Sequence, residues 1–113
     1  MPNEILLSTV RALVEQLARG QYDLLISRCL ETRLTGEDLR EVVRGYGRKL
    51  VVPPSNAYKE LDAVKIEAVA IPTWSVRVPV WTEEEGRSDL TIELSISLTP
   101  DGPRVELDDL HVL

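Results

Sequence analysis

Apolar residues recur at helical spacing through the first half of the chain. In residues 3–19 and again in residues 22–31 they lie three or four positions apart, which places them on one face of a helix. A third helix is predicted to begin after Thr35, because Thr35 and Asp38 have the spacing of a capping box, and to end at Gly47. The first half of the chain therefore predicts three helices.

In the second half the spacing changes to alternation of apolar and polar residues, which is typical of strands with one buried face. A short apolar run at residues 50–52 precedes a proline-rich loop, and longer alternating runs occupy residues 61–70, 75–81 and 90–98. A last strand is predicted over about residues 104–112.

The last predicted strand changes its parity part-way along. Val105 and Leu107 share one face, whereas Leu110 and Val112 have the opposite parity, so a regular strand would expose one of the two pairs. We predict a β-bulge at residues 108–109 that turns both pairs toward the core. The alternative is that the chain leaves the sheet there.

Helices followed by a meander of strands indicate an α+β fold in a single domain over residues 1–113. We expect about three N-terminal helices packed on one face of a curved antiparallel sheet of about four to five strands. The regular alternation predicts that the other face is exposed to solvent or lies in an interface.

Composition narrows the classes of protein to which the chain can belong. Of its 113 residues 43% are hydrophobic, which argues against disorder, and 19 acidic against 13 basic residues argue against nucleic-acid binding. The acidic excess lies in the sheet half. One cysteine cannot form an internal disulfide, and no basic leader or membrane-length apolar run is present, so we expect a cytoplasmic protein without membrane contact.

Three segments resemble the NTF2-like superfamily. Residues 17–25 are similar to its first helix, glycine corner and second helix, although Gln21 stands where the superfamily often has Asp. Residues 34–39 resemble the opening of a later helix, and residues 105–113 resemble the closing strand, as they also resemble the ending of short bacterial proteins of unknown function. The resemblance implies a cone-shaped α+β domain of a kind that hosts enzymes, ligand carriers, dimerisation modules and toxin-neutralising proteins.

Candidate chemistry is sparse. Asp108, Asp109 and His111 form the one grouping with acid–base or metal-ligand character, but the favoured interpretation is structural, with the aspartates forming the bulge and His111 pairing with one of them. Cys29 lies at helical spacing with apolar residues, which favours a small buried side chain over a nucleophile. We therefore predict no catalytic residue, no metal site and no cofactor.

The alternating run at residues 75–81 carries the best interface candidates. Trp81 has the parity of Arg77 and Pro79, which places all three on the face away from the core. Trp81 is then either an interface anchor or a ring that packs on the Arg77 stem. Pro79 lacks a ladder donor, which predicts an edge position or a bulge.

The acidic turn that follows offers a second set of interface candidates. Glu83, Glu84 and Glu85 form either a solvated loop or, with Asp89, Asp101, Asp108 and Asp109, one acidic rim. Such a rim would attract a basic protein partner.

Three hypotheses about function result. The first is a non-enzymatic binding module that dimerises through its sheet face and contacts a protein partner, in one version an immunity-like protein that masks a basic toxin. The second is a pocket between helices and sheet with Tyr58, Trp74, Asp109 or His111 in it, as in a ligand carrier or an isomerase- or hydratase-like enzyme. The third is a purely structural dimerisation domain.

Overall fold

The computed structural model describes residues 4–59, 61–67 and 69–113. Three α-helices are present in this part of the chain: α1 (Glu4–Ala18), α2 (Tyr22–Ser27) and α3 (Gly36–Tyr46). Six strands form one sheet: β1 (Glu31–Thr32), β2 (Leu50–Val51), β3 (Asp62–Lys65), β4 (Thr73–Thr82), β5 (Gly86–Thr99) and β6 (Gly102–Val112). A 3₁₀ helix, Ser55–Tyr58, joins β2 to β3.

Helix α3 has both of its predicted ends. The Thr35 hydroxyl accepts a hydrogen bond from the Asp38 amide at 3.0 Å, and the Asp38 carboxylate accepts one from the Thr35 amide at 2.9 Å. Gly47 ends the helix in the left-handed conformation, with φ of 75°. The capping box therefore fixes the start of α3 and the glycine its end.

Helix α2 is shorter than predicted. It ends at Ser27 because the chain then turns toward the sheet, where the Leu30 amide donates to the Val105 carbonyl at 2.7 Å. Residues Glu31 and Thr32 follow as strand β1, which runs parallel to β6. The predicted helix over 22–31 is wrong in its last turn.

The sheet has the order β1-β6-β5-β4-β2, and β3 also pairs with β4. Pairs β3–β4, β4–β5 and β5–β6 are antiparallel hairpins, and β2 also pairs antiparallel with β4. Because β1 runs parallel to β6, the sheet is mixed, and it has six strands. The prediction of an antiparallel sheet of about four to five strands is wrong in both respects. Strand β3 is also shorter than the alternation over 61–70 predicted, and Ala68 of that run lies outside the described residues.

One apolar core holds the helices against one face of the sheet. The central strand β5 contributes four side chains with no exposed surface: Leu90, Ile92, Leu94 and Ile96. Helix α1 contributes another fully or almost fully buried set: Leu6, Val10, Leu13, Val14 and Leu17. Burial of each Leu or Ile stabilises the fold by roughly 1.5–3 kcal/mol relative to exposure. The opposite face of the sheet is left uncovered by these helices.

The predicted bulge in β6 is confirmed. Glu93 pairs with Asp109 and Leu94 with Leu107, so Asp108 has no partner in the β5–β6 ladder. The extra residue lets Leu107 and Leu110 both face the core, where they are 1% and 3% exposed. Val112 pairs with Leu90 and so lies on the same face as Leu110, but it is 56% exposed, so the expectation that it packs in the core is wrong.

A second irregularity lies at Pro79, where the sequence predicted an edge or a bulge. Pro79 pairs with Thr91 but Trp81 pairs with Arg87, so β5 carries additional residues at this point. The Ser88 hydroxyl fills the irregularity by donating to the Val80 carbonyl at 2.8 Å. An irregularity is confirmed here: its additional residues lie on β5, and Pro79 is the last paired residue of β4 before it.

On the edge of β4 that faces away from β5, the strand next to this irregularity has a gap in its pairing. Strand β3 pairs with residues 74–77 and β2 with residues 81–82, which leaves residues 78–80 between them without a strand partner in the described chain. The 3₁₀ helix passes this gap, because its residues border the same cavity as Val78 and Pro79. The gap leaves a concave surface between the 3₁₀ helix and β4.

Deletion of Asp108 should test the bulge. Without the extra residue the last part of β6 slips by one position, which turns Leu110 outward and should lower the free energy of unfolding by about 2 kcal/mol. Asp108→Asn is the matched control, since it keeps the chain length and an acceptor for Ser95. Urea unfolding monitored by circular dichroism measures the free energy of unfolding of both variants. If the deletion and Asp108→Asn lose the same amount, the bulge itself contributes nothing to stability.

Candidate functional site

A cleft with a volume of about 490 Å³ opens on the exposed face of the sheet at the gap in β4. This volume lies within the range of about 300–1,000 Å³ that small-molecule sites occupy. Its walls come from the 3₁₀ helix and the loops beside it, from the start of β3, from β4 and β5, and from the residue after β6: Pro53, Asn56, Ala57, Tyr58, Lys59, Leu61, Asp62, Arg77, Val78, Pro79, Trp81, Arg87, Thr91 and Leu113.

The cleft brings together residues from both sets of sequence candidates. The interface candidates Arg77, Pro79 and Trp81 line it together with the pocket candidate Tyr58. The other pocket candidates do not reach it. Trp74 lies on the core face, where it pairs with Ile96 and its ring lies 5.8 Å from the Lys65 Nζ.

Trp81 is the largest side chain in the cleft, and it points away from the core as its parity predicted. Its six-membered ring lies beside Gly86, where an added Cβ would come within 3.7 Å of the Trp81 Cζ3. Arg87 is the cross-strand partner of Trp81, so an aromatic surface and a guanidinium lie next to each other on this wall.

Tyr58 forms the inner side of the cleft. Its ring is stacked by the Arg11 guanidinium of α1, which lies 4.8 Å from the ring centroid. Its hydroxyl is buried and has no hydrogen-bond partner within the described residues. Burial raises the pKa of the Tyr58 phenol.

The charges around the cleft are mainly positive. Among the side chains that line it, the cations of Lys59, Arg77 and Arg87 stand against the carboxylate of Asp62. Among the described residues neither Lys59 nor Arg87 has an ion-pair partner, and Arg77 Nε lies 4.0 Å from Glu93 Oε1. The cleft therefore concentrates cations in a chain whose formal net charge is −6.

A row of charged residues crosses the sheet beside the cleft. Asp62, Arg77, Glu93 and Asp109 are successive cross-strand partners on β3, β4, β5 and β6. Opposite charges in adjacent positions of such a row attract one another.

His111 closes the end of this row. Its Nε2 contacts the Glu93 carboxylate, and its Nδ1 lies 3.5 Å from Asp109 Oδ2. The predicted pairing of His111 with an aspartate is therefore confirmed. The sequence analysis missed Glu93, although its polar position in the alternation of β5 places it on this face. Within the described residues no group of three acidic, histidine or cysteine side chains has the arrangement of a metal site.

The family comparison adds a classification to this geometry. Residues 14–113 match the model of a family described as a domain of unknown function, DUF7668. The chain belongs to the DUF7668 family. No curated protein and no solved structure matches it. None of the described helices of this DUF7668 domain combines the length and apolarity needed to cross a bilayer.

The acidic turn of the DUF7668 domain contacts its own neighbours. The Glu84 carboxylate accepts from the Lys49 amide at 3.1 Å, and the Glu85 carboxylate accepts from the Tyr46 hydroxyl at 2.9 Å. Glu83 Oε2 lies 3.8 Å from the Lys49 Nζ. These contacts fasten the β4–β5 turn to the end of α3 and the start of β2.

The acidic residues lie in separate places. Glu83, Glu84 and Glu85 are in the β4–β5 turn, whereas Asp101 is in the β5–β6 turn at the opposite end of the 14-residue β5. Asp108 accepts from the Ser95 hydroxyl at 2.6 Å in the middle of the sheet. The side chains of the expected acidic rim are thus divided between two turns and the centre of the sheet.

Tyr58→Phe and Tyr46→Phe should have different effects on stability. Tyr58→Phe removes a buried hydroxyl without a described partner, so the free energy of unfolding should stay unchanged or rise by about 1 kcal/mol. Tyr46→Phe removes the hydrogen bonds to Glu85, so stability should fall. Urea unfolding at neutral pH compares the two, and a large loss for Tyr58→Phe would reveal a partner of its hydroxyl.

Stability should also fall in alkali. Burial raises the pKa of the Tyr46 and Tyr58 phenols above their ordinary value of 10.0. Their contribution to the free energy of unfolding is therefore complete below pH 10.0, and it is lost as the pH rises through the higher pKa of the folded state. Tyr58→Phe should make this alkaline loss smaller. An unfolding series from pH 8 to pH 11 measures it.

Cys29 should alkylate slowly in the folded DUF7668 domain. Its thiol donates to the Leu25 carbonyl at 3.4 Å, and burial raises its pKa from 9.0 to about 11. The thiolate fraction at pH 8 should therefore be about a hundredfold lower than in the unfolded chain. Iodoacetamide labelling followed by mass spectrometry, with urea-unfolded protein as control, measures the rates. Equal rates would restore Cys29 as a candidate nucleophile.

Proposed function

We propose that the DUF7668 domain is a non-enzymatic binding module that holds its ligand in the cleft on the exposed sheet face. The observation that carries this proposal is the cleft itself, in which the 3₁₀ helix, β4 and β5 surround Trp81. Concave sites with an aromatic wall and a few polar groups are the usual places where proteins bind small ligands.

The ionisable side chains favour binding over catalysis. Cys29 is held as a thiol by burial, and His111 contacts carboxylates through both ring nitrogens rather than lining the cleft. A general base must lie within hydrogen-bond reach of the group it deprotonates. Among the described side chains that line the cleft, Asp62 is the one carboxylate, and there is no histidine or cysteine.

The NTF2-like resemblance remains a proposal and places a ligand elsewhere. It implies a pocket between helices and sheet, a region that Val78, Leu94 and Ile96 fill with 4% exposure or less. The cleft around Trp81 is lined mainly by residues of the opposite face, with the buried Val78 and Tyr58 on its inner side. As a ligand carrier, the DUF7668 domain would therefore hold its ligand in this cleft and not between the helices and the sheet, where the NTF2-like resemblance places it.

Self-association through the same face is the second candidate. Val64 has the outward parity of Arg77 and Trp81 and is 61% exposed, as an interface residue of a homodimer would be in the free chain. Native mass spectrometry decides this point: a dimer that Val64→Asp dissociates supports it, and a monomer contradicts it. The basic protein partner and the cytoplasmic location likewise remain proposals. Because the acidic residues are divided between separate places, they support a basic partner less than a contiguous acidic rim would.

A comparison of the two tryptophans tests the proposed function. The chain has two, so Trp74→Phe leaves only Trp81 and Trp81→Phe leaves only Trp74. In a screen of small aromatic fragments, hits with dissociation constants on the order of 1 mM should change the emission of Trp81. The same fragments should leave the emission of Trp74 unchanged.

The screen can also contradict the proposal. Fragments that alter the two single-tryptophan proteins equally would indicate non-specific binding. A screen in which no fragment alters Trp81 would mean that the cleft does not bind small ligands. Thermal melting of both variants, compared with the parent, verifies that each is folded.

A further inference from the structure

We propose that the cleft selects a small organic anion in which a carboxylate or a similar acidic group is attached to a flat apolar ring. This inference rests on the proposed function and specifies the ligand class of the same site. It depends on two independent features of the cleft, namely its charge and the shape of its walls.

The charge of the cleft favours an anion. Lys59, Arg77 and Arg87 come from the end of the 3₁₀ helix, β4 and β5, so cations approach the cleft from three elements. Asp62 can neutralise one of them. Arg77 shares its nearest carboxylate, Glu93, with His111, and in the described chain Lys59 and Arg87 have no ion-pair partner. A bound anion would supply the missing counter-charge.

The charge is also local. The chain carries 19 acidic and 13 basic residues, so an average surface region should be acidic. Next to the cleft, the face of the sheet carries the carboxylates of Glu93 and Asp109. These neighbouring carboxylates repel an anion, whereas the cations of the cleft attract it, so the local charges would direct an anionic ligand from the adjacent sheet surface to the cleft.

The walls of the cleft favour a flat apolar ring next to the acidic group. Trp81 offers an aromatic surface, and Pro79 lies two residues before it on the same face of β4. Arg87 is directly across from Trp81 on β5. A ring that stacks on Trp81 would therefore place an attached carboxylate within reach of the Arg87 guanidinium, which binds carboxylates through two parallel hydrogen bonds.

Two probes with the same ring and different charge test this inference. 2-Naphthoate carries a carboxylate and 2-naphthylmethanol a neutral hydroxyl, and NMR titration of the labelled protein gives both dissociation constants. We expect 2-naphthoate to bind about tenfold more tightly and to shift amides around the cleft. Salt of about 0.5 M should weaken the binding of 2-naphthoate alone.

Two arginine variants supply the matched comparison. Arg87→Gln should remove most of the preference for 2-naphthoate, because glutamine keeps a polar side chain at this exposed position but lacks the positive charge and the guanidinium. Arg104→Gln is the control, since Arg104 is exposed on the same face of the sheet but lies outside the cleft. Both positions are exposed, so both variants should fold.

The outcomes separate the ligand class from the proposed function. Equal affinity of both probes at the cleft would overturn the anion inference and leave the binding function intact. An equal loss in Arg87→Gln and Arg104→Gln would also overturn it, because the attraction would then be a general surface effect. Failure of 2-naphthoate to shift any cleft amide would overturn it as well, and the tryptophan screen above then decides the binding function separately.

Discussion

One-sided burial of the central strand is the constraint on which the rest of this structure depends. Strand β5 is paired on both edges, and its alternate side chains from Leu90 to Ile96 have no exposed surface. Because side chains alternate between the two faces, a slip of one residue would move this entire set into solvent. The register of both hairpins, the packing of the helices and the polarity of the exposed face all follow from keeping those side chains inside.

The two irregularities of the sheet have different relations to that constraint. In β6 the apolar residues change parity, and the unpaired Asp108 restores it so that Leu107 and Leu110 both pack inside. In β4 the chain contains Pro79, which cannot donate to a ladder, and the Ser88 hydroxyl bonds the Val80 carbonyl in the irregular stretch. The first bulge thus preserves the core, and the second lies beside the gap at which the cleft opens.

The amphipathic patterns made much of this fold predictable from the sequence. Alternation located β4, β5 and β6, the parity change located the bulge, and the spacing of Thr35 and Asp38 located the start of α3. Each of these signals is local, because it depends on the burial or the hydrogen bonds of residues close together in the chain. The outward parity of Arg77 and Trp81 was local in the same sense and placed both on the correct face.

Features set by distant residues were not predictable in this way. Strand β1 consists of two exposed residues, Glu31 and Thr32. It is held to β6 by backbone hydrogen bonds, so its sequence shows no apolar pattern from which the strand could be predicted. The cleft exists because β2 and β3 pair with separate parts of β4, and the lengths of those pairings depend on the whole sheet. For the same reason the sequence offered Tyr58 and Trp81 as candidates for two different sites, although the fold places them in one.

The exposed face combines two kinds of surface that have different physical consequences. In the row from Asp62 to Asp109, the Arg77 cation lies between Asp62 and Glu93, and His111 contacts the adjacent carboxylates of Glu93 and Asp109. These charged groups would lose solvation if a second sheet covered them. Over the cleft, Lys59 and Arg87 lack such partners within the described residues, and the aromatic ring of Trp81 is half-buried. A large partner covering the whole face would have to desolvate the row, whereas a small anion in the cleft would gain contacts without disturbing it. That difference in desolvation is the physical reason to favour a small ligand over a broad protein interface on this face.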